Sequence, residues 1–165
     1  LILGNWSLPG SKVRGLEPVD VPPAGQYSYV SLWCLMAVPM FFSGDMATVD
    51  DFTHGLLCNP EMIAVNQDRL CKCAEPVVMD ANTWVLKKTQ ADGSIVVGLF
   101  NLDKKSDRQV TVTWAQLGLD APPAAVRDLW RQWDIQFPGE AMTVKLSPVG
   151  CAVFRLAGRP ASSSQ

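Results

Sequence analysis

The chain has little of what catalytic and metal-binding sites are usually made from. Its 165 residues hold a single histidine, His54, so a thiol or hydroxyl nucleophile that needs an imidazole base has one candidate partner. Cysteine occurs five times, at 34, 58, 71, 73 and 151. That odd number, in a chain of this size, excludes a disulfide framework as the main support of the fold. Cys71 and Cys73 stand one residue apart, the wrong spacing for a zinc knuckle, and His54 is a helix away. No metal ligand set and no cofactor are expected. Excess positive charge is also missing: 14 Lys and Arg stand against 16 Asp and Glu, net −2. The mixture carries no basic footprint for nucleic acid. Long hydrophobic runs are lacking too. Residues 30–42 are mostly apolar, but a bilayer span needs about 20 and Pro39 interrupts the run, so no membrane span is expected. The sequence opens on Leu1 rather than Met, directly into Leu-Ile-Leu without a charged leader, and the expectation is a piece cut from something longer.

What is present is organised around residues 27–68. Leu1 to Leu3 read as a short buried strand ending at Gly4-Asn5-Trp6. Residues 7–25 hold four of the 12 prolines and read as a loop, at a length that is more often a functional lid than an idle connection. From Tyr27 to Ala37, Tyr29, Leu32, Trp33, Met36 and Ala37 fall at helical spacing, widened by Val30 and Leu35. Pro39 stops that helix, because the residue before a proline is pushed out of the helical region. Met40, Phe41 and Phe42 are apolar in succession, which suits a strand buried on both faces of a parallel sheet. A second helix is expected from about Asp50 to Leu57, with Thr48 as N-cap and Asp50 and Asp51 in the acidic first turn. Asn59-Pro60 ends it, and Glu61 to Val65 make a short apolar segment. Cys34 reads as a buried small hydrophobe, and His54, beside Asp51, as a solvated helix residue.

After Cys73 the period changes to two. Thr83–Thr89 and Ser94–Leu102 flank Gln90-Ala91-Asp92-Gly93, a hairpin with Asp-Gly in its turn. Arg108–Trp114 alternates, with Val110, Val112 and Trp114 on one face. Ala125–Trp130, Ala141–Leu146 and Gly150–Leu156 read as further strands. About six short antiparallel strands separated by Gly, Pro and Asp turns indicate a β-sandwich. Gly158–Gln165 reads as a polar, disordered tail.

Several motifs carry a family resemblance. YSYVSLWCLMAVPMFFSGDM followed by LLCNPEMIAVNQD, with LILGNW before them, resembles the last part of the catalytic barrel of α-galactosidase-like glycoside hydrolases, a group that includes α-N-acetylgalactosaminidases. DLWRQW and LSPVGCAVFRL resemble their C-terminal antiparallel domain. The sequence departs at Asp68-Arg69-Leu70-Cys71, where Asp-Pro-Leu-Gly is usual. The resemblance implies α/β plus all-β architecture: the final part of a (β/α)8 barrel in residues 1–73, then an antiparallel β-sandwich in 74–157, then the tail 158–165. It implies a retaining glycosidase with two catalytic aspartates about 5 Å apart at barrel strand ends, both encoded upstream of Leu1. The substrate implied is an α-galactoside oligosaccharide or glycoconjugate, and the compartment secreted, lysosomal or periplasmic.

Within the chain, the implied substrate-contacting residues are Asn5, Trp6, Ser43 and Asp45, which follow strands and so fall on the active-site face of such a barrel. Asp50 and Asp51 read as helix-start charges, and Asp68 as a turn or interdomain hydrogen-bonding group. Asn5-Trp6-Ser7 fits the N-glycosylation pattern. Trp130 reads as core packing. Trp133 leaves open an alternative in which 74–157 is a carbohydrate-binding or structural module without catalysis. The barrel-derived part of an isolated chain is expected to fold poorly, because a piece cut from a barrel exposes sheet edges and apolar faces.

Overall fold

The computed structural model describes residues 5–6, 17–18, 21–42 and 49–157. Chain order is β1 (Asn5–Trp6), β2 (Glu17–Pro18), α1 (Pro23–Leu35), α2 (Asp51–Leu57), α3 (Pro60–Asn66), and then eight strands. These are β3 (Glu75–Met79), β4 (Thr83–Thr89), β5 (Ile95–Asn101), β6 (Arg108–Thr113), β7 (Ala125–Asp128), β8 (Trp133–Ile135), β9 (Ala141–Leu146) and β10 (Cys151–Ala157). Six strands form one antiparallel sheet in the order β3-β4-β5-β10-β7-β8, while β6 and β9 pair as a second sheet. The sandwich expected from the alternating sequence is therefore present.

Two cores flank the larger sheet. On one face Val85, Val97, Leu99, Phe154 and Leu156 meet Val110, Val112, Met142 and Leu146 of the β6–β9 pair. On the other, Leu86, Val96, Phe100 and Val153 meet Val30, Cys34 and Leu35 of α1 and Met62 and Val65 of α3. Adjacent residues such as Val85 and Leu86, or Val96 and Val97, thus serve opposite cores, as the pleat requires. β5 lies between β4 and β10 and is covered on both faces, so it is buried from Val96 to Asn101. The helices are accordingly not bare: α1 and α3 each bury one face on the sheet.

Several element boundaries differ from expectation for identifiable reasons. α1 begins at Pro23 rather than Tyr27, with Pro22 as N-cap. The expected spacing of Tyr29, Leu32, Trp33, Met36 and Ala37 does not mark the buried face, since Tyr29 and Met36 are exposed and the residues buried are Gln26, Val30, Ser31, Cys34 and Leu35. Proline at the first helical position sets the start. The helix ends before Pro39, at Leu35, and Ala37 turns the chain with φ 51°. Residues 40–42 are not a strand, and among the described residues no strand pairs with them. Met40 and Phe42 pack toward the helical core while Phe41 is 75% exposed, so the run is not buried on both sides. The N-cap of α2 is Asp50, whose side chain accepts from the Thr53 N–H at 2.7 Å, and that bond holds its carboxyl below the usual range. The segment after Asn59-Pro60 is the helix α3, capped by Asn59. β7 stops at Asp128, two residues before Trp130. The two strands of the larger sheet that the sequence pattern did not signal, β3 and β8, are its edges: β3 carries Pro76 beside a register shift, and β8 is three residues long. Leu1 to Leu3, Thr48 and the tail 158–165 lie outside the described residues.

Cys34 is fully buried in α1, and burial pushes its thiol up to about 12 from an ordinary 9.0, with the Lys88 charge opposing. The folded value exceeds the unfolded one, so the contribution is complete below about pH 9 and is lost as pH rises toward 12. Cys151 acts in the same direction, raised to about 11 by burial. We expect Cys34→Ala to flatten the fall in unfolding free energy between about pH 9.5 and 10.5 by about 1 kcal/mol. Denaturant titrations of both proteins at the two pH values check this.

Candidate functional site

The described residues build a platform between the helices and the sandwich, and several polar groups are tied across that junction. Lys88, on the helix-facing side of β4, is 1% exposed. Its ammonium donates to Cys34 O at 3.2 Å and Val65 O at 2.7 Å, near the C-terminal ends of α1 and α3, where carbonyls lack helical partners and a cation is favoured. Burial lowers its pKa, opposed by the Asp68 carboxylate. At the other end of α3, Arg127 of β7 grips Glu61 through Nη2 at 2.7 Å and Nε at 3.2 Å, and reaches Asp134 at 3.3 Å. Asn59 donates to Leu129 O at 3.0 Å, and Ser28 to Val149 O at 2.6 Å.

The Asp-Leu-Trp segment has a physical explanation here. Asp128 is 4% exposed and accepts the Trp130 and Arg131 N–H groups at 3.1 and 3.0 Å, which turns the chain after β7. Leu129 enters the helical core. Trp130 donates its indole N–H to Ser31 Oγ at 2.9 Å and meets Tyr27 edge-on at 4.7 Å between ring centroids. Its packing role stands. A cavity of about 540 Å³ opens beside this turn, lined by Tyr27, Trp130, Arg131, Lys145 and Ser147 among others. Trp133 is 55% exposed, with the Arg131 guanidinium 5.7 Å from its ring.

Of the sequence-derived site residues, Ser43 and Asp45 lie outside the described residues. Asn5 and Trp6 form β1, paired antiparallel with Glu17–Pro18 inside the stretch read as a loop. Asp68 accepts from Ala91 N at 2.9 Å and Leu70 N at 3.0 Å, linking the end of α3 to the β4–β5 turn, in keeping with its reading as a turn or interdomain hydrogen-bonding group. His54 is exposed on α2. Among the described residues no three His, Cys, Asp or Glu are grouped to hold a metal ion, and no helix is long and apolar enough to cross a membrane.

With this geometry in hand, two family descriptions match in succession. "Alpha galactosidase A" matches residues 4–68, and "Alpha galactosidase C-terminal beta sandwich domain" matches residues 80–156. The chain belongs to the α-galactosidase family. It is 29% identical over 135 residues to alpha-galactosidase 2 of Arabidopsis thaliana, covering 81% of this chain and 34% of that protein. The chain thus spans about a third of the length of the curated relative. Among solved structures it is similar to a putative alpha-galactosidase/melibiase from Bacteroides fragilis, with TM-score 0.77 and 26% identity over 85% of this chain and 30% of that one. A β-L-arabinopyranosidase of glycoside hydrolase family 27 from Geobacillus stearothermophilus gives TM-score 0.84 at 24% identity, covering 99% and 36% of the two chains. That likeness shows a shared fold.

In this family member the residues that sequence reasoning missed are structural ones. Lys88 was hidden because TWVLKKT reads as an ordinary amphipathic strand whose lysines point outward. The signal that could have exposed it is parity: Lys88 shares a face with Leu86, which the second core claims.

Proposed function

We propose that this chain is the C-terminal part of a retaining glycosidase that removes terminal α-D-galactosyl residues from oligosaccharides or glycoconjugates. Residues 1–73 would be the closing portion of its (β/α)8 barrel, 74–157 the sandwich, and 158–165 a tail. The observation that carries this reading is the succession of the two family matches within a chain that spans about a third of its relative. The two catalytic aspartates of the proposed enzyme are N-terminal to Leu1, and Asn5, Trp6, Ser43 and Asp45 contact the sugar. In that arrangement the described part acts mechanically. Lys88, Arg127 and Asn59 fix α1 and α3 on a rigid sheet, and the segments preceding and following these helices carry the contact residues.

The test uses p-nitrophenyl α-D-galactoside. The purified 165 residues should give no turnover, and the gene product extended upstream of Leu1 should hydrolyse the substrate with retention of anomeric configuration. Turnover by the short chain would contradict upstream catalysis, and an inert extended product would contradict the assignment as an α-galactosidase. The exposed Trp133 beside Arg131 favours a second reading, a sugar-binding face on the sandwich. Retardation of the chain in galactomannan gels, lost in Trp133→Ala, would support that reading, whereas unretarded migration would remove it.

A further inference from the structure

Where the family usually has Asp-Pro-Leu-Gly, this chain has Asp68-Arg69-Leu70-Cys71, followed by Lys72 and Cys73. The structure explains what that departure builds. The segment from Asp68 to Ala74 is pinned at both ends. Asp68 holds the Leu70 and Ala91 N–H groups, and the Ala74 N–H donates to Leu35 O at 2.9 Å. Between the pins, the Cys71 N–H returns to Asp68 O at 2.9 Å, and Cys71 adopts φ 50°, the left-handed region that glycine occupies freely and other residues at a cost. The chain therefore turns at Cys71. Both Cys71 and Cys73 are exposed, in contrast to the buried Cys34. A single residue, Lys72, separates the two cysteines, so the chain itself keeps the two thiols near each other. Cys73 donates its S–H to Met36 O, at the C-cap of α1, at 3.0 Å.

We propose that Cys71 and Cys73 form a redox-active dithiol at the junction of the helices and the sandwich, which closes to an intrachain disulfide by exchange with low-molecular-weight disulfides. One cysteine thiolate attacks a sulfur of the small disulfide, forming a mixed disulfide and releasing one small thiol. The second cysteine then attacks the protein sulfur of that mixed disulfide and releases the other small thiol. The two protein thiol protons end on the two small thiols, the protein pair is oxidised by two electrons, and the small disulfide is reduced by two. The pinned turn makes the second step fast, because the resolving thiol is held close to the mixed disulfide. Closure also removes the S–H donor from the α1 C-cap, so the oxidation state is read by the end of the helix that docks on the sheet.

The third exposed thiol, Cys58, lies on a different element, at the C-cap of α2, and gives an internal comparison. The native chain is incubated with excess hydroxyethyl disulfide, quenched by alkylation while Cys34 and Cys151 remain unmodified, digested, and weighed by mass spectrometry. The peptide bearing Cys71 and Cys73 should have lost two hydrogens in roughly tenfold excess over its adducts, whereas Cys58 should carry the hydroxyethyl adduct. In Cys71→Ser, Cys73 should carry an adduct as Cys58 does. A 71–73 peptide that carries adducts, or that remains fully reduced while Cys58 reacts, overturns the proposal.

Discussion

Lys88→Met should lower the unfolding free energy by about 3 kcal/mol, although it preserves most of the side-chain volume. The cost lies in the partners left behind. The ammonium donates to Cys34 O and Val65 O near the ends of two helices, and a thioether cannot. Val65 is itself fully buried, so its carbonyl would lose a charge-assisted bond without water to replace it. Part of that loss is offset because the variant no longer buries a charge, whose desolvation is visible in the lowered pKa of Lys88. Lys88→Arg should not rescue: a guanidinium is planar and larger, and the site is closed on all sides. Urea titrations of the three proteins at neutral pH measure these differences, and a Lys88→Met midpoint equal to the parent's would show that the ammonium is dispensable.

Gly98→Val should be comparably damaging, by about 3 kcal/mol, through overpacking. Gly98 faces the helices from the middle of β5, and a Cβ placed there would lie 2.5 Å from Leu35 Cδ1 and 2.9 Å from Phe100 Cε2. Leu35 is fully buried at the end of α1, so it has nowhere to retreat except by lifting the helix from the sheet. Val is otherwise a better strand residue than Gly, and that preference makes the sign informative. A stabilised variant would mean that α1 does not approach β5 this closely. Gly98→Val combined with Leu35→Ala should recover part of the loss, since the two changes act on one contact.

These residues also show how much of the structure could be read from the chain alone. The sandwich was legible because most of its strands alternate, and the β4–β5 hairpin because Asp92-Gly93 supplies the positive φ at Gly93, 82°, that its turn requires. The edge strand β3 was not, since Pro76 argues against a strand wherever its N–H would be needed. Lys88 and Gly98 defeated sequence reasoning for one shared reason. Both sit on the second face of the larger sheet, and that face is a core only because α1 and α3 cover it. Reading residues 74–157 as a sheet with one buried face makes Lys88 solvent-exposed and Gly98 a weak point. The segment 40–42 failed in the opposite way: its apolar run suggested two covered faces, and in the described residues Phe41 is exposed. The candidate sugar-contacting residues depended on family resemblance throughout, because nothing local in Asn-Trp or Ser-Gly-Asp distinguishes a contact to substrate from a cap or a turn.

Tyr29, Met36 and Phe41 leave the outer side of the helical layer exposed, whereas the inner side is joined to the sheet by Lys88, Arg127, Asn59 and the Trp130–Ser31 bond. If that inner surface governs, the helices and the sandwich unfold together. Urea unfolding followed in parallel by helical circular dichroism and by hydrogen exchange of the β5 and β10 amides measures this directly. Coincident transitions with a single midpoint are the expected result. Loss of helix at a clearly lower urea concentration, with β5 and β10 still protected, would contradict it and make the sandwich the only cooperative unit of the chain.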